Sequence, residues 1–336
     1  MKKVSLTYSE YLFELSKEEI ERILNIFNIK YRKNSKKENL IKILDNSNEE
    51  IVKYSFNLFQ SDELANIKLI IKSNGHLKPR TNYSLLYFLD NLNKKSLVKK
   101  IDENQYCVPK DILKCFKACL KDKETLKIIK SNTKEYNLIM GLLNTYGVLS
   151  YDKFYEMFNN ILPCDKEYLW ERLMILTDFY EEFELFFSKK ENYVCNKSFL
   201  NEKGIQLKEI KKYANKKSVY KQFSAKELVT MFSYKYMCKF KSFKKMLSFV
   251  KKNYYLDERD IKIFYKYIII PYINDIQLDS NSEDNLSKNI DKYFEYKNEK
   301  HKNKFINLIK GIVKDAPMWK YNGFSENEKG EDICQK

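Results

Sequence analysis

The amino-acid sequence predicts a mainly α, multi-unit helical protein that carries two short β-hairpins. Three observations point there. The 336 residues hold only 7 glycines and 5 prolines, too few for the many tight turns of a large β-sandwich or a parallel-sheet barrel. Apolar residues recur at spacings of three and four behind capping signals. Two places pair β-rich runs around a polar turn. Hydrophobic residues make up 43% of the chain and aromatics 15%, a globular composition. The elements group into four units, residues 1–58, 59–130, 131–204 and 205–336.

The first unit reads helix, extended link, helix. Ser16 and Glu19 have capping-box spacing, and Ile20, Ile23, Leu24 and Phe27 follow helical spacing. Asn28 to Tyr31 alternates as an extended piece. Ser35 and Glu38 repeat the capping spacing ahead of Leu40, Ile41 and Leu44. Residues 12–46 resemble the small SAP and Rho N-terminal family, helix–extended–helix units that often bind nucleic acid. The resemblance implies contacts from Arg32, Lys33, Lys36 and Lys37 at the start of the second helix, where backbone N–H groups also favour phosphate. The same residues also read as a solvated basic face on a helical hairpin used for protein contact.

In the second unit, Ser61-Asp62-Glu63 starts a helix with Leu64, Ile67, Ile70 and Ile71 on one side, and Asn74-Gly75 ends it. Tyr83 to Leu92 continues as helix. Leu97 to Ile101 and Gln105 to Val108 flank a polar turn, the pattern of a hairpin, and Pro109 can open the next helix. This order resembles the winged-helix family in layout. Lys78, Arg80, Lys94, Lys95, Lys99 and Lys100 offer it a phosphate-binding surface.

The layout recurs in the third unit. Glu135 to Asn144 is helical, Ser150 opens a second helix and Asp165 a third, and Phe183 to Phe187 with Asn192 to Cys195 form a second hairpin. In a DNA-binding winged helix the third helix enters the major groove. Here that helix carries Glu167 and Glu171, with Asp178, Glu181 and Glu182 after them. Carboxylates repel phosphates, so this copy reads as a protein-contact or spacer module.

The fourth unit is basic. Lys208, Lys211, Lys212, Lys216 and Lys217 form one cluster, and Lys239, Lys241, Lys244 and Lys245 interleave with aromatics in another. Lysines with aromatics suit single strands by stacking and charge. The preferred reading is a core stripe, because Phe232, Tyr236, Phe240, Phe243 and Leu247 recur at three to four. Asp279 to Asn285 is a polar linker, and helix follows to Asp315. Residues 317–328, PMWKYNGFSENE, resemble the segment that precedes the SEC-C zinc motif in a range of bacterial proteins. That family's zinc ligands are a Cys-x-Cys and a Cys/His pair, and only Cys334 follows here. A metal site is therefore not expected. Trp319 and Phe324 are expected to dock on preceding helices, with Gly323 supplying a turn.

Composition narrows the function. Lys+Arg number 62 against 46 Asp+Glu, a net charge of +16. The excess is almost all lysine; Arg22, Arg32, Arg80, Arg172 and Arg259 are the only arginines. Lysine attracts phosphate by charge alone, while scarce arginine argues against dense guanine reading. Lys, Asn, Ile and Tyr are inflated together, as in AT-rich coding, so codon bias competes as an account of the charge. Only His76 and His301 are available for acid–base work, and no Gly-rich phosphate loop, GxSxG or HExxH string is present. Cys115 and Cys119 share a helical face but lack further zinc ligands, and read as buried small hydrophobes. Seven scattered cysteines fit reduced thiols in a cytoplasm, and no segment suggests export or membrane insertion. The expectation is a non-enzymatic, cytoplasmic, nucleic-acid-binding protein of bacterial or mobile-element origin, with backbone-dominated contacts, no cofactor and no membrane partner. The alternative is a scaffold, adaptor or inhibitor whose winged-helix-like units contact another protein.

Overall fold

The computed structural model describes residues 6–79, 83–103, 105–199, 219–231, 233–254, 261, 264–277, 286–287, 290–291, 296 and 298–329. These residues are mainly helical, with two small three-stranded antiparallel sheets. The chain divides into two compact units, residues 1–136 and 137–336.

In the first unit, α1 (Tyr8–Glu14), α2 (Lys17–Ile26), α3 (Lys37–Asn46), α4 (Asn48–Phe56), α5 (Ser61–Lys72), α6 (Tyr83–Lys94) and α7 (Lys110–Cys119) surround one core. Thr7 with Glu10 caps α1, and Ser16 with Glu19 caps α2, each reciprocal pair satisfying two orphan N–H groups. The expected box at Ser35 is not formed. The helix α3 begins at Lys37, with Lys36 at the cap and no side-chain cap bond. The expected extended link is also shorter, because Asn28 takes a left-handed conformation with φ 53°. Its N–H donates to Asn25 O and that of Ile29 to Leu24 O, a Schellman closure that asparagine tolerates. Phe56 meets Phe59 at 5.0 Å and Phe116 at 5.7 Å, and Phe59 meets Phe88 at 5.4 Å. These rings join residues read separately as 1–58 and 59–130. Each fully buried phenylalanine contributes about 1.5–3 kcal/mol.

The first sheet pairs β2 (Lys99–Asp102) with β3 (Gln105–Cys107) as the expected hairpin, in the register Lys99↔Cys107 and Lys100↔Tyr106. A third strand, β1 (His76–Leu77), lies on the other side of β3. It was not legible, because two residues are too few to show alternation.

Helix α8 (Lys123–Tyr146) contains the division between the units. In the second unit it leads into β4 (Val148–Ser150), α9 (Tyr151–Asn159), α10 (Lys166–Tyr180), β5 (Phe183–Phe186) and β6 (Tyr193–Asn196). The sheet order is β4-β6-β5, all antiparallel. Then come α11 (Ala225–Thr230), α12 (Tyr234–Met237), α13 (Lys241–Asn253), α14 (Ile270–Gln277) and α15 (Glu299–Asp315). Gly141 lets α11 approach α8: a Cβ there would run into the Leu228 carbonyl oxygen. The terminal segment docks as a structural clamp. Trp319 is 1% exposed, and its Nε1 donates to Asn144 O at 2.8 Å. Gly323 makes the expected turn at φ 89°, where a Cβ would meet Tyr146 Cε1 at 2.9 Å. Phe324 is half-buried. The linker expected at Asp279 to Asn285 and the lysine cluster at 208–217 lie outside the described residues.

Candidate nucleic-acid interface

The lysine-rich stretch folds as two helices laid side by side. In α13, Phe243, Met246, Leu247 and Val250 recur at three to four and are buried. In α15, Phe305, Ile309, Ile312 and Val313 do the same, behind an Asn298 cap that accepts from the His301 N–H. The pairing is antiparallel. At one end Ser242 Oγ bonds Asp315 Oδ2. At the other, Phe249 stacks on Phe305 at 5.5 Å, and Tyr254 Oη lies 3.5 Å from His301 Nδ1. Both helices rest on one segment: Phe243 meets Tyr265 at 5.4 Å, and Phe305 meets Phe264 at 5.7 Å.

That packing turns the charged sides of both helices away from the same core. On α13, Lys241, Lys244, Lys245, Lys251 and Lys252 are exposed; on α15, Lys300, Lys304 and Lys314 are exposed. None of these eight makes an ion pair with a described residue. The carboxylate of Asp315 is occupied by Ser242 and by Asn327 Nδ2 at 2.8 Å. Lys300, Asn303, Lys304, Asn307 and Leu308 form one open stripe along α15. Lys241 to Lys252 spans about 16 Å of helix, roughly the rise of five base pairs.

The other expected lysines are placed differently. Lys239 is exposed but lies 3.7 Å from Glu227 and over the Tyr236 ring. Arg32, Lys33 and Lys36 are exposed ahead of α3, whereas Lys37 is half-buried and donates to Phe13 O at 2.8 Å. Lys99 pairs with Glu14, so the α3 start and the first hairpin meet at the end of α1. Lys100 pairs with Asp90 at 3.2 Å and covers the Tyr106 ring. Hydrogen bonds to Tyr106 and Asp90 hold its pKa above the ordinary lysine value. Lys78 and Lys94 are exposed. Lys95 leaves the set: it is 4% exposed, with its ammonium on Asn91 Oδ1. Arg80 lies outside the described residues. The first hairpin is thus locally compensated, and the α13–α15 face is not. Lys300 and Lys304 share a helical face at i, i+4, but nothing in the sequence places that face beside α13, so the α15 lysines were missed.

The interleaved aromatics point inward. Tyr236, Phe243 and Leu247 are buried and Phe240 is half-buried, while Phe232 lies outside the described residues. The core reading of this stripe therefore holds, and these rings offer no stacking platform. His301 is half-buried against Phe249 at 4.7 Å. Cys107, Cys115 and Cys195 are buried. Cys119, expected to be buried, is half-buried, and that partial burial pushes its thiol up to about 11. Among the described residues no three His, Cys, Asp or Glu side chains group as a metal site, and no helix is long and apolar enough to cross a membrane.

No family model matches the chain, nor does any curated protein or solved structure.

Proposed function

We propose that this chain is a non-enzymatic nucleic-acid-binding protein that grips the phosphate backbone with the outer face of α13 and α15. The observation that carries the reading is the set of eight exposed lysines on two packed helices, none paired with a described carboxylate. Lys99 with Glu14 and Lys100 with Asp90 are neutralised locally, whereas Lys114, Lys117, Lys121, Lys123, Lys127 and Lys130, from α7 into α8, are exposed and likewise unpaired with a described residue. Lysine supplies charge without a planar fork, so the expected binding is strong in low salt and weakly sequence-dependent. The amides of Asn303 and Asn307 beside Lys300 and Lys304 add donors and acceptors to that face.

Residues 123–196 support a winged-helix reading of the middle of the chain. They run helix, strand, helix, helix, strand, strand, and the first strand pairs with the last. The acidic side of α10 keeps phosphate off that copy. Fluorescence anisotropy of the full chain with 30-nucleotide single-stranded and duplex probes at 50 mM salt tests the proposal. Binding to either probe is expected, weakening steeply as salt rises. An absence of binding to both at low salt overturns it.

A further inference from the structure

Helix α10 buries Leu169, Leu173, Leu176, Phe179 and Tyr180, yet its other side is not the polar surface of an ordinary amphipathic helix. It exposes Tyr168 at 51%, Met174 at 45% and Ile175 at 36%. Phe187, 64% exposed just beyond β5, stands edge-on to Trp170 at 5.6 Å. Large apolar side chains gathered on one face mark an interaction surface.

Three carboxylates lie on this face, with the half-buried Arg172 at its margin beside Tyr168 and Ile175. Glu167, Glu171 and Asp178 stand at i, i+4 and i+11, a single line down the exposed side, with Met174 at i+7 within it. None of the three carboxylates makes an ion pair with a described residue. The adjacent Lys166 is engaged with Asp152. Tyr168 and Ile175 flank the line on one side, and Trp170 with Phe187 flanks it on the other. The strip from Glu167 to Asp178 is about 16 Å long, some three helical turns. In a chain of net charge +16, this acidic, apolar strip runs against the prevailing sign.

We infer that the exposed face of α10 is a docking surface for a basic amphipathic helix of another protein. Apolar side chains of that helix cover Tyr168, Met174, Ile175 and Phe187, and its lysines or arginines meet Glu167, Glu171 and Asp178. Helix-on-surface recognition of this kind takes its affinity from apolar anchors and its choice of partner from charge complementarity. The surface is separate from the lysine face of α13 and α15 and takes the opposite sign of ligand.

The test uses the full chain and a fluorescein-labelled 18-residue helical peptide of leucine and lysine, read by anisotropy. Micromolar binding is expected. Tyr168→Ser with Ile175→Ser, and separately Glu167→Lys with Glu171→Lys and Asp178→Lys, are each expected to weaken it at least tenfold. A peptide with glutamate in place of lysine is expected not to bind. All five substituted side chains are exposed, and unchanged circular dichroism and melting verify that the variants fold. Equal affinity of wild type and both variants overturns the inference, as does equal binding of the glutamate peptide. Sedimentation of the chain alone adds a further reading: a dimer that both variants dissolve assigns the face to a second copy and also overturns it.

Discussion

Replacing Trp319 by alanine removes the largest fully buried side chain of the second unit. The indole is 1% exposed, and its Nε1 donates to Asn144 O at 2.8 Å near the end of α8. Its backbone N–H donates to Gln277 Oε1, and Gln277 Nε2 donates to Pro317 O at 3.2 Å. Tryptophan-to-alanine changes in cores cost about 3–5 kcal/mol through lost transfer energy and the cavity left behind. For a unit of this size each kcal/mol moves the melting midpoint by about 2–4 °C, so a loss of 4 kcal/mol lowers it by about 8–16 °C. Trp319→Phe keeps most of the volume and loses mainly the N–H bond, for a cost of about 1–2 kcal/mol. The assay is internal to the molecule. Trp170 and Trp319 are its only tryptophans, and both lie in residues 137–336. Fluorescence of the remaining Trp170 therefore reports unfolding of that unit, while far-ultraviolet circular dichroism reports both units. A loss below 1 kcal/mol for alanine, or equal losses for alanine and phenylalanine, would refute the clamp.

Two glycines inside helices should respond oppositely to alanine. Gly141→Ala drives a Cβ into the Leu228 carbonyl oxygen and should cost upwards of about 2 kcal/mol by overpacking. At Gly311 a Cβ meets only Ser242 Cβ, at 3.9 Å, so Gly311→Ala should gain about 0.5–1 kcal/mol from helix propensity; thermal melts of the pair check both. Burial, and then the charge of Asp111, hold the Asp45 carboxyl above its ordinary pKa. An acid with a raised folded pKa destabilises the fold when ionised. Asp45→Asn should therefore raise the melting temperature at pH 7, and the difference should vanish as pH falls below the ordinary aspartate value. The Cys195 thiol is buried in β6 and pushed up by that burial. A thiol reagent at pH 7 should label it only after denaturant is added, as peptide mass mapping would reveal.

Much of the fold was legible because its signals are local. Buried stripes such as Ile20-Ile23-Leu24 and Phe243-Leu247 announce their helices at spacings of three and four. The second hairpin, expected at 183–187 and 192–195, pairs at 183–186 and 193–196. Features set by distant contacts were not legible. β1 and β4 are strands only because β3 and β6 pair with them. The left-handed Asn28 looks in sequence like part of an alternating run. In the candidate interface, Lys241, Lys244 and Lys245 were readable from their spacing, but only packing adds Lys300, Lys304 and Lys314 to the same side. Lys95 shows the opposite failure. Lysine composition reads as surface, whereas this ammonium is turned in toward Asn91.

The central claim is that the α13–α15 lysine face meets phosphate. The most direct test is the slope of log affinity against log salt for a single-stranded probe. It is measured for the wild type and for a variant carrying Lys241→Gln, Lys244→Gln and Lys245→Gln. Each lost phosphate contact should flatten the slope by about 0.7, so the variant should lose about 2 in slope, and melting should not change because all three side chains are exposed. An unchanged slope, with wild-type affinity at every salt concentration, would contradict the account.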